Sequence, residues 1–168
     1  MKDTKLYNVI FPIWFLLFFP PVILITLAGN FVIDTLVIIV CFYIFKLADT
    51  QKSLQEFYKK SILKVWLFGF LADIAGASIL FIFGILGDSL GLSGEIIAGI
   101  NYDPFSNFVA VLIIICAMLV SAALIFVLNY RLTFSKQIKD ERLRLKVAIA
   151  IAVTTLPWTF LLPTKWFY

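Results

Sequence analysis

The chain has 168 residues, of which 62% are hydrophobic and 14% charged, with a formal charge of +4, two cysteines and no histidine. Its mean hydropathy of +1.04 excludes an ordinary water-soluble domain, in which about 45–50% of residues are apolar, because so much Leu, Ile, Val and Phe could not be buried in water by a chain of this size. Without histidine the commonest general base and metal ligand is missing, and Cys41 and Cys116 both lie inside apolar runs, so neither a disulfide framework nor a zinc set is indicated.

A helix needs about 20 apolar residues to cross roughly 30 Å of hydrocarbon. Five such stretches can be read in chain order. They predict an all-α, polytopic integral membrane protein: one transmembrane domain over residues 1–168, a bundle of five helices with short interfacial helices. The first span covers about residues 7–28. Its "FPIWFLLFFPP" segment predicts a lipid-facing aromatic surface, kinked where Pro20 and Pro21 each lack a backbone donor. The stretch exceeds the apolar core of a signal peptide and reads as a retained helix.

The second span runs over 30–46, after a turn at "AGN" with Asn30 suited to cap it. Asp34 would then lie about 6 Å inside the span, at a helix start where the dipole favours a carboxylate, and about 15 Å from the depth of Asp73. In "ADTQKSLQEFYKKSILK", Leu54, Phe57, Tyr58 and Ile62 fall at helical spacing, which predicts an interfacial helix running into the third span.

The third span, 62–87, carries Gly69, Asp73, Gly76, Leu80, Gly84 and Gly87 at three- and four-residue steps. Gly69, Gly76 and Gly84 predict a face on which another helix packs closely. A carboxylate within a span faces the protein interior and is a functional candidate by default, which singles out Asp73. The following loop, "DSLGLSGEIIAGINYDPFSN", has Asp88, Glu95 and Asp103 with no basic residue, and such a mouth concentrates cations. The fourth span covers 106–130. The basic segment "TFSKQIKDERLRLK" leads into the fifth, 146–163, and could hold anionic lipid headgroups.

Five spans place thirteen of the fourteen basic residues on one side, leaving Lys165 alone on the other. The positive-inside rule then predicts a multi-pass plasma-membrane protein with its N-terminus in the cytoplasm and its C-terminus outside. At about 1.5 Å per residue, Asp73 lies roughly 14 Å from Lys64, Ser121 roughly 15 Å from Arg131, and Thr154 and Thr155 roughly 12–14 Å from Lys146. Asp73, Ser121, Thr154 and Thr155 thus share one layer and form the predicted substrate or ion site, with Asp34 a lesser member. A neutral, hydrogen-bonded Asp73 would be structural glue worth about 1 kcal/mol; a titrating Asp73 would be a proton or cation site.

The chemistry of enzymes is thinly represented. No zinc spacing, P-loop or dinucleotide fingerprint occurs, no cofactor or nucleic acid is implied, and a two-aspartate intramembrane protease would need both acids at one depth. The leading expectation is a non-enzymatic protein that assists transport or permeation of a small solute or ion. The alternative is an assembly or regulatory subunit whose glycine face docks a partner. A third is a membrane enzyme with a metal at Asp88, Glu95 and Asp103. The expected partners are the bilayer, anionic lipids at the basic loops, and a second copy or a partner subunit.

Overall fold

A computed structural model describes residues 11–49 and 53–167 of the chain. The first residues of the expected first span, with Lys2 and Lys5, lie outside the described residues, as do Lys52 and Tyr168. Within the described residues the chain is all α, with helices α1 (Ile13–Leu16), α2 (Val22–Ile44), α3 (Leu54–Ile85), α4 (Gly94–Asn101), α5 (Phe108–Leu128) and α6 (Glu141–Thr154). A π-helical turn, Asn129–Thr133, prolongs α5, and a 3-10 turn, Trp158–Leu161, follows α6. Four segments are long and apolar enough to cross a bilayer: Val22–Ile44, Leu54–Ile85, Phe108–Thr133 and Glu141–Leu161. Their outward surfaces are apolar, with Ile25 72% and Phe108 75% exposed, as lipid-facing side chains would be.

The structure differs from the sequence reading in its first third. Gly29 and Asn30 do not form a turn. They lie in the interior of one continuous 23-residue helix, α2, so the two expected spans at 7–28 and 30–46 are replaced by α1, a break at Pro20 and Pro21, and α2. The break is tolerable in an apolar setting because the prolines bring no N–H to satisfy, while the Ile23 N–H bonds to the Phe19 carbonyl at 2.8 Å. Asn30 stays in the helix because a turn inside an apolar span would leave backbone groups unpaired in lipid; its side chain faces α3. Trp14, within the expected lipid-facing aromatic segment, is instead buried and donates from Nε1 to the Ile100 carbonyl at 3.2 Å.

The Ile13 N–H bonds to Thr164 Oγ1 at 3.0 Å, so the described chain begins at the end of the bundle where it finishes. That end also holds α4 and the Asp103–Lys165 ion pair of 2.5 Å. The loops after α2 and α5 lie at the opposite end. A side-chain cap starts three of the long helices: Ser53 Oγ accepts from the Glu56 N–H at 3.2 Å, Asn107 Oδ1 from Val109 at 2.9 Å, and Asp140 Oδ1 from Arg142 at 2.8 Å. Asn107→Ala should therefore cost about 1 kcal/mol, and Asn107→Asp much less; denaturant titration in detergent reads the difference.

Two apolar clusters form the interior. One, around Ile38, Phe57, Ile125, Phe134 and Ile151, fills the end carrying the basic loops. The other, around Trp14, Leu80, Ile114, Met118 and Phe160, fills the opposite end. Between the two clusters the inward-facing residues include Asn30, Asp34, Gly69, Asp73, Thr154 and Thr155.

Candidate functional site

Those intervening residues surround a cavity of about 160 Å3 bounded by α1, α2, α3 and the chain just after α6. Helical geometry explains how. Asn30 and Asp34 are one turn apart on α2, and Gly69 and Asp73 one turn apart on α3, so each pair shares a face. The helices run in opposite directions with these faces opposed. Asn30 Nδ2 donates to Asp73 Oδ2 at 3.5 Å. Across from Asp34 stands Gly69, where an added Cβ would lie 3.9 Å from Asp34 Oδ2. An added Cβ would make ordinary van der Waals contact with the Asp34 carboxylate, so the absence of a Gly69 side chain leaves open space in front of Asp34.

Both acids therefore line one cavity. The expected separation of about 15 Å is overturned, because it counted Asp34 from a turn that does not exist. Asp34 lies twelve residues into α2, or about 18 Å along its axis. It is 4% exposed, and no hydrogen bond reaches its carboxylate from the described residues. Asp73 Oδ1 is likewise buried without a partner. No lysine or arginine lines the cavity, whose other polar groups are Thr26, Asn30, Thr154, Thr155 and Thr159. A void needs only about 10–15 Å3 to hold one water, so several waters or one small solute fit. The rim is open sideways between α2 and the break after α6, where Ile33 and Trp158 are about half exposed.

Of the sequence-derived residues, Asp34, Asp73, Thr154 and Thr155 come together here. The threonines donate to carbonyls of their own helix, Thr154 to Ala150 at 2.7 Å and Thr155 to Ile151 at 2.9 Å, which leaves their oxygens as acceptors. Pro157 ends α6 at this level and opens the wall. Ser121 belongs to the layer by depth but does not line the cavity: it is fully buried against Gly76 and donates to the Ala72 carbonyl at 2.9 Å.

The glycine face is occupied within the chain. Gly76 abuts Ser121, Phe160 and the Ala117 carbonyl on α5, and Gly84 abuts Asn101, whose Nδ2 donates to the Gly84 carbonyl at 2.7 Å. It is therefore not free to dock a partner helix. Asp88, Glu95 and Asp103 do not converge: among the described residues no three acidic, histidine or cysteine side chains are placed to hold a metal, and Asp103 pairs with Lys165.

Asn30 and Thr26 are cavity residues that sequence reasoning missed. The available signal was their spacing from Asp34, at four and eight residues on one helical face; the turn propensity of Gly29–Asn30 masked it. Comparisons with protein-family models, curated proteins and solved structures find no match to this chain.

Proposed function

We propose that the protein binds a small cation, or a proton, in the Asp34–Asp73 cavity and assists its passage across the membrane. The observation that carries this reading is the pairing of two under-bonded carboxylates in one solvent-sized space with no basic residue. Buried charges are normally paired, and an unpaired one costs stability. A cation between the two acids supplies the missing partner, and the threonine and asparagine oxygens add neutral ligands. The positive-inside rule orients the bundle with the loops after α2 and α5 in the cytoplasm. The acidic α3–α5 connection then faces outside in the plasma membrane, and the cavity lies near mid-bilayer.

Gly69→Leu tests the proposal, because it fills the space in front of Asp34 without changing any charge. In liposomes, uptake of Na⁺, K⁺, methylammonium or protons by the wild-type protein should be lost in this variant while thermal unfolding in detergent remains cooperative. A wild-type protein that moves none of these ions would refute it.

The shared depth of Asp34 and Asp73 also favours a second reading, acid–base hydrolysis by a carboxylate pair acting on one water. A cavity of about 160 Å3 admits waters but no extended peptide, so this reading needs α2 to move away from the α6 break. Cleavage of a transmembrane peptide by the reconstituted protein, abolished by either Asp→Asn change, would favour it over permeation.

A further inference from the structure

At the opposite end of the bundle from α4, a recess of about 330 Å3 is lined by Lys60, Lys64, Thr133, Lys136 and Gln137. From this geometry we infer a binding site for a phosphate-bearing anion, formed by Lys60 and Lys64 of α3 and Lys136 beside the π-helical turn. Lys60 and Lys64 are one helical turn apart and so share a face. Lys136 approaches from the segment after α5. Lys60 has a partner in Glu56 at 2.6 Å, whereas Lys64 and Lys136 have no ion pair among the described residues. No acidic residue lines the recess. Three lysines line one space with no carboxylate among the lining residues, and an anion seated there gains charge partners on both sides of the recess.

The recess is held open by a hydrogen-bonded ladder, not by loop conformation alone. The π-turn is closed by the Phe134 N–H on the Asn129 carbonyl at 2.9 Å. Thr133 Oγ1 donates to Asn129 Oδ1 at 2.8 Å, and Gln137 Nε2 donates to the Thr133 carbonyl at 3.1 Å and to Ser61 Oγ at 3.1 Å. Ser61 in turn donates to the Phe57 carbonyl at 2.7 Å. This ladder ties α3 to the segment that carries Lys136, with Phe57 stacked on Phe134 beneath it at 5.9 Å. A π-turn departs from regular helix at a cost and recurs at functional sites; here it sets the lysine geometry. Positive-inside sorting explains why lysines lie at this end, but it does not explain why three of them flank one fixed recess.

The anion can be a lipid headgroup or a free phosphate compound, and one experiment separates the two. The full chain is placed in phosphatidylcholine nanodiscs containing a minor share of phosphatidylglycerol, and retained lipid is counted by native mass spectrometry. The triple variant Lys60→Gln, Lys64→Gln, Lys136→Gln is compared with a control triple that removes equal charge from the same side, Lys46→Gln, Lys59→Gln, Lys139→Gln. Both triples should lose the general surface attraction of the removed lysines, and the pocket triple should weaken phosphatidylglycerol retention by about tenfold beyond the control. Competition by millimolar inorganic phosphate would support the site and assign it to a soluble phosphate compound; retention unaffected by phosphate would support it and assign it to lipid. Equal losses in the two triples, or no wild-type preference for phosphatidylglycerol over phosphatidylcholine, would overturn it. The result is independent of ion flux through the Asp34–Asp73 cavity.

Discussion

Asp34→Asn and Asp73→Asn, each alone, are expected to lower cation flux in liposomes by at least tenfold while leaving thermal stability unchanged or raising it. The amide keeps the size and shape of the carboxyl group and removes its charge. A unit charge about 4 Å from a bound cation is worth about 4 kcal/mol at an effective dielectric constant of 20, enough to dominate binding in a site with only two charges. The stability half follows from the unliganded geometry. Asp34 has no hydrogen bond from the described residues, and the bond that Asp73 accepts from Asn30 Nδ2 is long, 3.5 Å. Removing an under-bonded buried charge relieves a penalty. If Asp73 were instead structural glue, the same substitution would cost about 1 kcal/mol and leave flux intact. Flux and unfolding measured on the same preparations therefore separate the two roles in opposite directions.

Gly76→Leu is expected to prevent accumulation of folded protein, and Gly76→Ala to destabilise it by about 1–3 kcal/mol. A Cβ at Gly76 would meet Ser121 Oγ below contact distance, Phe160 Cε2 at 3.0 Å and the Ala117 carbonyl oxygen at 3.2 Å. The last is backbone and cannot swing aside, and moving Ser121 would break its bond to the Ala72 carbonyl. Gly29 is the internal control. Nothing lies within 4 Å of its Cβ position, and it faces outward from the middle of α2. Gly29→Ala should stabilise by about 0.5–1 kcal/mol, the helix-propensity difference alone. The yield of folded protein reads Gly76→Leu, and thermal unfolding of Gly76→Ala and Gly29→Ala in one detergent provides the comparison.

The contrast between these glycines also shows what the sequence could reveal. Gly76 and Gly84 were legible because they repeat with Leu80 at helical steps along an apolar segment, and the structure puts other helices there. The polar layer was legible for Asp73, Thr154 and Thr155 because depth depends only on residue count from the basic ends. Facing direction does not, so Ser121, at the same depth, was assigned to a cavity that it does not line. Asp34 was misplaced for a different reason. "AGN" has strong local turn propensity, but a turn within an apolar span leaves backbone groups unpaired in lipid, and α2 runs through Gly29 and Asn30 unbroken. Backbone pairing in the apolar setting outweighed local preference. The unbroken α2 that results also moves the described start of the chain to the end where Thr164 lies.

The placement of Asp34 opposite Gly69 is the feature on which the cavity depends, and disulfide trapping measures it most directly. With the two free cysteines replaced as Cys41→Ser and Cys116→Ser, the pair Asp34→Cys and Gly69→Cys puts two thiols on facing positions, the nearest Asp34 atom to a Cβ at Gly69 being Oδ2 at 3.9 Å, so that a small helix shift brings the sulfurs into bridging geometry. Mild oxidant in native membranes should give an intramolecular bridge, seen as a reducible mobility shift. Two thiols that each react with maleimide yet never join would mean that the helices do not face each other at this level, and the shared cavity would not exist.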